Sequence, residues 1–281
     1  MVIVMKFGGA VISTPERIKR AVKLIKEQRE EGKEVVVVAS AIPGVTDGLI
    51  EASKKASVSD WEFVKKFIDE QASLHRSLAK GTIKSEGALN ALLKELKGLI
   101  DELREILFSV ARLKELTPRS KDFTLSFGER FSCAILCAAL KDANLKAEWI
   151  GGGEAGIVTN EEFGNARPLL NVTFQKLRER LLPLVKEGAV PVVAGFIGRT
   201  PDGAVTTLGR GGSDYTATII GAALRANEIL LWKEVDGLMT ADPKVEPKAR
   251  TISTISYAEA NEIAYFGAKI LHPRALRPAA E

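Results

Sequence analysis

Segments typical of β-strands alternate along this chain with segments typical of α-helices, and this alternation limits the possible folds more than any other feature. It predicts an α/β domain in which helices pack against a largely parallel sheet. The strand candidates are Val2–Phe7, Glu34–Ala39, Lys146–Ile150, Val190–Phe196, Ala204–Leu208 and Glu228–Trp232. A helix is expected between the first two strands, because Pro15 suits a first helical turn and Gly32 suits a helix end.

The region from Ile50 to Leu116 departs from this alternation. It carries no strand signal and is rich in Ala, Leu, Lys and Glu, which favour helices. We predict two or three amphipathic helices here, inserted into the α/β framework. Because no internal repeat or Pro/Ser-rich linker interrupts the sequence, we expect one unit over residues 1–281 with a helical insertion at about 50–116.

The composition excludes several classes of protein. The chain has 281 residues, of which 46% are hydrophobic and 27% are charged, as in soluble globular proteins. Its net charge of +4 is spread out without a basic block, so we expect no nucleic-acid partner. The apolar start, Met1 to Met5, is too short for a signal sequence, and no apolar run approaches the ~20 residues of a membrane span. A cytoplasmic protein without membrane contact is expected.

Few residues suit metal or acid–base chemistry. Cys133 and Cys137 lie one helical turn apart in an apolar segment with no further ligands nearby, which favours buried reduced thiols. His75 and His272 are the only histidines, and no acid or nucleophile is spaced to pair with them. We therefore expect structural histidines and no metal site formed by protein ligands.

A three-glycine turn carries the strongest functional signal. The strand candidate that ends at Leu208 leads into Gly209-Arg210-Gly211-Gly212-Ser213-Asp214, followed by a helical run. Ser213 and Asp214 are good helix N-caps. Glycines let the backbone approach a ligand, and the N–H groups at a helix start attract anions. Arg210 adds a planar cation suited to a carboxylate or phosphate. The turn predicts a small anionic ligand, with Asp214 holding a metal ion or a cationic group.

Two other strand candidates end in sequences that suit the same edge of the sheet, where open α/β sheets bind ligands. The first ends in Lys6-Phe7-Gly8-Gly9, whose ammonium group suits a transferred phosphoryl group. A solvated lysine beside an ordinary turn fits the motif equally well. Ser40 and Thr46 flank a Pro-Gly pair after the second strand and suggest another wall of the cleft, although a plain turn is favoured in isolation.

Three further segments allow both a functional and a structural interpretation. Glu129 follows a glycine in a helical stretch and suits a substrate ammonium group, or equally an Arg or Lys partner. The segment Trp232–Pro243 holds three carboxylates that suit a nucleotide ribose or base, or an acidic surface loop. Lys269 is a second lysine close to a glycine.

The segment Gly151–Gly156 matches the dinucleotide-binding pattern G-x-G-x-x-G after a strand candidate. We reject that interpretation, because the following Ile157-Val158-Thr159 does not begin a helix and no β-α-β unit is apparent. The Walker pattern G-x-x-x-x-G-K-[S/T] does not occur in the sequence.

Taken in order, the motifs resemble those of the aspartate kinases, which belong to the amino acid kinase superfamily. The matching segments are Lys6-Phe7-Gly8-Gly9, Ser40-Ala41, Val45-Thr46-Asp47, Ser126-Phe127-Gly128-Glu129, Gly195-Phe196-Ile197-Gly198, Gly209-Arg210-Gly211-Gly212-Ser213-Asp214, Val235-Asp236-Gly237, Asp242-Pro243 and Phe266-Gly267-Ala268-Lys269. The resemblance runs from Met1 to Glu281. It implies a three-layer α/β/α sandwich that transfers the γ-phosphoryl group of ATP to the side-chain carboxylate of L-aspartate, the first step of lysine, threonine and methionine biosynthesis.

The resemblance also implies roles for individual residues. Lys6 would stabilise the transferring phosphoryl group, and Asp214 would organise Lys6 and the substrate. Arg210 would bind the α-carboxylate of aspartate, and Glu129 its ammonium group, in a substrate-binding set made up of Ser40, Thr46, Glu129, Arg210 and Ser213. The nucleotide-binding set comprises Gly8, Gly9, Lys233, Glu234, Met239, Lys244 and Lys269. Mg²⁺ would arrive with ATP, held largely by phosphates and waters, and the family suggests a homodimer.

The chain also departs from the family. Ala10 stands where Thr or Ser is usual, Lys233-Glu234 where Thr-Asp is usual, Met239 for a common Tyr, and Lys244 for a common Arg. The family's C-terminal ACT regulatory domains and its last catalytic-domain strand are not found in the sequence. Two alternatives remain open: a related kinase for another small acid, and a non-catalytic subunit that pairs with a complete kinase through an open sheet edge.

Overall fold

The computed structural model describes residues 1–242, 245–265 and 272–280. Within these residues the strands are β1 (Val2–Phe7), β2 (Glu34–Ala39), β3 (Ala147–Ile150), β4 (Val190–Ala194), β5 (Ile197–Arg199), β6 (Val205–Thr207) and β7 (Glu228–Trp232). Five of them form a parallel sheet in the order β3-β4-β2-β1-β7. The remaining two, β5 and β6, pair antiparallel in a separate hairpin.

The helices among the described residues are α1 (Pro15–Glu30), α2 (Val45–Ser57), α3 (Trp61–Thr82), α4 (Glu86–Leu113), α5 (Pro118–Leu125), α6 (Phe127–Asp142), α7 (Gly152–Ala155), α8 (Leu170–Lys186), α9 (Gly212–Leu224), α10 (Tyr257–Tyr265) and α11 (Pro273–Ala280). A short 3-10 helix, Gly9–Ile12, joins β1 to α1. Polar side chains cap several helix starts, such as Thr14 at α1, Asp60 at α3 and Ser85 at α4.

Alternate residues of the buried strands face two separate hydrophobic cores, because successive side chains of a strand point to opposite faces. Ile3 and Met5 of β1 belong to a core shared with α1 to α6. Val4 of β1 and Val36 of β2 belong to a second core shared with α8 and α9. The sheet is therefore covered on both faces, and the expected three-layer α/β/α sandwich with a parallel sheet is confirmed.

The predicted helical insertion corresponds to α2, α3 and α4. It begins at Val45, earlier than the expected Ile50, and α4 ends at Leu113. The difference arises at Gly44, whose φ of 82° provides the left-handed turn from which α2 starts. The Pro-Gly pair therefore ends a loop, and Thr46 lies in the first turn of a helix.

The hairpin differs from the sequence prediction. Val190–Phe196 was expected to form one strand, but Phe196 adopts a φ of 67°, which ends the strand and turns the chain into the unpredicted β5. The candidate Ala204–Leu208 is shorter than expected and pairs with β5 outside the main sheet. No residue pattern in the sequence indicates that this phenylalanine adopts a positive φ.

One other expectation needs correction. The segment Gly151–Gly156 does lie inside a β-α-β unit, since β3 and β4 are parallel neighbours with α8 between them. The helix that these glycines form, α7, is a single turn, however, and α8 begins only at Leu170.

One described helical stretch, Pro118–Asp142, is long and apolar enough to cross a membrane by length and composition alone. Of its apolar window, 83% is buried inside the protein, as in the core helix of a globular domain.

Candidate active site

The carboxyl ends of β1 and β2, the start of α6 and the turn before α9 meet around one pocket. Its volume is about 300 Å³. The lining residues are Lys6, Ser40, Thr46, Glu129, Phe196, Gly209, Arg210, Gly211, Gly212, Ser213 and Asp214. All seven residues predicted to be catalytic or substrate-binding thus lie together, although they are spread over more than 200 positions of the sequence.

Two lysines contact the carboxylate of Asp214. The Nζ of Lys6, near the end of β1, lies 2.6 Å from Oδ1. The Nζ of Lys233, just after β7, lies 2.6 Å from Oδ2. Because β1 and β7 are neighbouring strands, both ammonium groups reach the same side chain. Two ammonium groups and one carboxylate leave this cluster with a net positive charge, which suits an anionic ligand.

Burial changes the ionisation of this cluster. Burial lowers the pKa of Lys6, and the charge of Lys233 lowers it further, against the opposing effect of Asp214. Burial alone would raise the pKa of Asp214, but the charges and hydrogen bonds of the two lysines hold it below its usual range. Asp214 is therefore held as a carboxylate.

Glu129 lies in the first turn of α6 and is only 4% exposed. Its Oε1 accepts a hydrogen bond from the backbone N–H of Ala41 at 3.1 Å. Its Oε2 is buried and has no hydrogen-bond partner among the described residues. Burial raises the pKa of Glu129 to about 8, with partial opposition from the Ala41 N–H and from Lys6. The site thus contains a buried carboxyl group with one free oxygen, which suits a cationic group of a ligand.

The turn before α9 positions Arg210 at the mouth of the pocket. Gly209 and Gly211 have φ values of 74° and 73°, which residues with side chains rarely adopt. The Arg210 side chain is exposed, and no hydrogen bond or ion pair holds it within the described part of the chain. The expected side-chain N-caps are wrong: Gly211 caps α9, and Asp214 lies in its first turn. The guanidinium group is therefore available to a carboxylate or phosphate.

Gly9 lies where a residue with a side chain would not fit, and Gly8 lies where a side chain would be tightly packed. A Cβ atom at Gly9 would lie 2.0 Å from the carbonyl oxygen of Ala41, and one at Gly8 would lie 3.2 Å from that of Trp232. The backbone N–H of Gly8 donates to this Trp232 oxygen at 3.0 Å. These glycines hold the end of β1 close to its two neighbouring strands, which positions Lys6.

Two further predicted nucleotide-binding residues, Glu234 and Met239, lie on what we term the post-β7 segment, residues 233–242 and 245–251. Glu234 is exposed, and its Oε1 forms an ion pair with Nη1 of Arg17 at a distance of 2.5 Å. Met239 is half-buried, pairs with Thr251 in an isolated antiparallel bridge, and is not among the residues that line the pocket. The predictions for Lys244 and Lys269 fall outside the described residues.

The sequence of the chain also matches a known protein family. The model of the amino acid kinase family matches residues 1–281. The chain belongs to the amino acid kinase family.

Curated members of this family with similar sequences are aspartokinases. The chain is 40% identical over 283 residues to aspartokinase 1, chloroplastic, of Arabidopsis thaliana, covering 99% of this chain and 48% of that protein. It is 35% identical to the aspartokinase of Geobacillus stearothermophilus, covering 98% of this chain and 53% of the relative. The chain therefore spans about half the length of the curated relatives it matches.

Solved structures show the same similarity in three dimensions. A crystal structure of Escherichia coli aspartokinase III, in complex with aspartate and ADP, superposes with a TM-score of 0.89 at 30% identity. The match covers 99% of this chain and 59% of that one. A second structure of the same enzyme, in complex with lysine and aspartate, superposes with a TM-score of 0.87.

Asp122 of this chain is a fully buried carboxylate on α5, and it was not among the residues predicted from the sequence. Its Oδ2 accepts hydrogen bonds from the backbone N–H groups of Gly164 at 2.8 Å and Thr207 at 2.7 Å. Its Oδ1 accepts from the Thr207 hydroxyl at 3.0 Å. Burial raises the pKa of Asp122 against the effect of these bonds. Asp122 fixes the end of β6, from which the Arg210 turn departs, and no local motif announces it.

Proposed function

We propose that this chain transfers the γ-phosphoryl group of ATP to the β-carboxylate of L-aspartate, giving 4-phospho-L-aspartate. The observation that carries the proposal is the convergence of Lys6, Glu129, Arg210 and Asp214 on one pocket. The backbone similarity to an enzyme crystallised with aspartate and ADP supports it.

Phosphoryl transfer requires positioning and neutralisation of charge more than covalent chemistry by the protein. Lys6 meets this requirement, because its ammonium group stands at the strand edge beside the pocket. In the proposed reaction Lys6 stabilises the charge on the transferring phosphoryl group. Asp214 holds Lys6 in place before the substrates bind.

The charges around the pocket suit the backbone groups of an α-amino acid. Arg210 would bind the α-carboxylate through its planar guanidinium group. The Oε2 of Glu129 would accept a hydrogen bond from the α-ammonium group, since no residue in the described ranges donates one to it. The hydroxyl groups of Ser40, Thr46 and Ser213 line the same pocket and would complete the polar surface.

The nucleotide would approach from the side of the post-β7 segment. Gly8 and Gly9 would let its phosphates come near the end of β1, and Lys233 would add positive charge there. Mg²⁺ is expected to bind through the phosphates of ATP and through water, as this ion retains several waters in kinase sites. Lys244 and Lys269 remain predicted nucleotide contacts.

An assay that traps acyl phosphates as hydroxamates tests the proposed reaction. With ATP, Mg²⁺ and L-aspartate, we expect formation of hydroxamate that stops when any one of the three is left out. A folded sample that forms none with L-aspartate would refute the proposal. A panel of other small acids and nucleoside triphosphates serves as the control, because a stronger signal with another acid would identify a different substrate.

Assembly and location stay predictions. We expect a homodimer on the basis of the family, and light scattering of the purified protein measures it directly. The relatives include chloroplastic plant enzymes and bacterial ones, so the cytoplasmic location inferred from the sequence needs its own test, such as imaging of a tagged full-length protein.

A further inference from the structure

We propose that Lys233 is a positioning residue that keeps Asp214 paired while the ammonium group of Lys6 moves to the transferring phosphoryl group. This inference rests on the proposed function, because it concerns how Lys6 becomes available to the phosphoryl group. It gives Lys233, where the resembling family usually has Thr, a task distinct from contact with the nucleotide.

The geometry supports a division of labour between the two lysines. Each one contacts a different oxygen of Asp214, and both distances are 2.6 Å. The side chain of Lys6 is 7% exposed and that of Lys233 is 21% exposed. Lys233 thus reaches the carboxylate from the outer side, and its contact does not depend on the contact made by Lys6.

The charges explain why a second lysine matters. If Lys6 were the only counter-ion, its move to a phosphoryl group would leave a buried carboxylate without a partner, which is costly. With Lys233 on the other oxygen, Asp214 keeps one ion pair throughout. When Lys6 moves from Asp214 to the phosphoryl group, neither Asp214 nor Lys6 is then left without a partner of opposite charge.

Besides burial, which lowers the pKa of Lys6, three ionisable groups from three elements of the described chain affect this pKa. Asp214 faces Lys6 from α9, Lys233 from the end of β7, and Glu129 from α6. The charge of Lys233 lowers the pKa of Lys6, whereas Asp214 and Glu129 raise it. Removal of the Lys233 charge therefore shifts the pKa of Lys6 upwards and binds Lys6 more tightly to Asp214.

Three variants test the inference. Lys233→Met keeps the length of the side chain and removes its charge, and Lys233→Arg restores a charge. Lys146→Met is the matched control, because Lys146 makes an exposed ion pair with Glu187 away from the pocket. For Lys233→Met we expect kcat to fall by about 10- to 100-fold, with recovery in Lys233→Arg and no change in Lys146→Met.

The pH–rate profile separates positioning from plain nucleotide binding. Lys6 must be protonated to stabilise the phosphoryl group, so its pKa contributes to the basic limb of kcat. In Lys233→Met this limb should move to higher pH. A rise in KM for ATP with unchanged kcat and an unmoved basic limb would overturn the inference and leave Lys233 as a nucleotide contact.

A measurement on the free protein makes the test independent of activity. Titration of the lysine side chains by NMR should show a higher pKa for Lys6 in Lys233→Met than in the unaltered protein. An unchanged pKa would refute the coupling, even if aspartate is phosphorylated. Conversely, a shifted pKa in a protein that forms no aspartyl hydroxamate would uphold the lysine coupling and refute the proposed function.

Discussion

The pocket and the post-β7 segment differ in how firmly the protein holds them. Lys6, Glu129 and Asp214 are all buried, and each lies at the end of a sheet strand or in the first turn of a helix. Residues of the post-β7 segment are mostly exposed, and the pair Arg17–Glu234 is about half-exposed on both sides. In the proposed reaction, the buried charged groups that would face the amino acid therefore belong to the framework, whereas the nucleotide would be bound largely by a surface segment.

The largest effect is expected from Lys6→Ala, which removes the cation at the centre of the pocket. Turnover should fall by about 100- to 1,000-fold, as when a group that stabilises transition-state charge is lost. The hydroxamate assay measures it, with Lys146→Ala as the control. A loss of less than tenfold, or ~1.4 kcal/mol, would contradict the role of Lys6.

Gly9→Ala tests the rigidity of the framework. The new methyl group would meet the carbonyl oxygen of Ala41 at 2.0 Å, so the loop between β2 and α2 must move. We expect a loss of about 3 kcal/mol in the free energy of unfolding, measured with urea. Gly87→Ala is the matched control, because no atom lies within 4 Å of a Cβ there. Equal stability of the two variants would show that the end of β1 adapts easily.

Arg210→Ala tests the side of the pocket that would bind the amino acid. The KM for L-aspartate should rise by about 10- to 100-fold, because a hydrogen-bonded charge pair contributes roughly 1.5–3 kcal/mol. The KM for ATP should stay the same. Steady-state kinetics with each substrate varied in turn decides the matter, and a larger effect on ATP would assign Arg210 to the phosphates.

The buried Glu129 predicts a pH dependence of substrate binding. Its pKa is raised to about 8, so the free protein holds a proton there at neutral pH, whereas an α-ammonium group favours the ionised form. Affinity for L-aspartate should therefore increase as the pH rises towards 8, and binding should release protons. Calorimetry in buffers of different ionisation enthalpy measures this release.

The raised pKa of Glu129 also affects the free energy of unfolding, but this contribution decreases as the pH rises. A folded-state pKa above the unfolded value of 4.5 means that this contribution is fully present below pH 4.5 and is lost as the pH rises through about 8. Glu129→Gln removes this part of the pH dependence and serves as the control for both measurements. Proton release that persists in Glu129→Gln would show that another group is responsible.

The smallest effect is expected from Glu234→Gln on the post-β7 segment. An exposed ion pair contributes less than about 1 kcal/mol, so stability should hardly change and the KM for ATP should rise less than about threefold. The same kinetic assay measures it. A rise above tenfold would show that this segment is held as firmly as the pocket, and the comparison between the two regions would fail.

Much of this arrangement could be predicted from the sequence, because its signals are local. β1, β2 and β7 have the predicted bounds, since each is an apolar run between polar segments. The clustering of Lys6 and Ser40 followed from the rule that ligands bind at the carboxyl ends of parallel strands. The turn that carries Asp214 reaches the same pocket from the separate hairpin. The parts that failed depend on distant contacts: the turn at Phe196 and the partners of Asp122 leave no local pattern.

Lys233 shows the same limit. The sequence placed it near the nucleotide, but its contact with Asp214 depends on the lateral pairing of β7 with β1. Strand order is a property of the whole fold, because it is set by which strands become neighbours and not by their order along the chain. The second counter-ion of Asp214 therefore became visible only in three dimensions.

The position of Arg210 has a consequence for the width of the pocket. Lys6 belongs to the five-stranded sheet, but the turn that carries Arg210 leaves the separate hairpin of β5 and β6. The two walls of the site are thus parts of two sheets that share no hydrogen-bond ladder. Asp122 ties the hairpin to α5 through two hydrogen bonds from Thr207. Asp122 does not line the pocket, but it helps to fix the wall that carries Arg210 relative to the wall that carries Lys6. In the proposed reaction, the distance between these walls would limit the length of the acid that binds there.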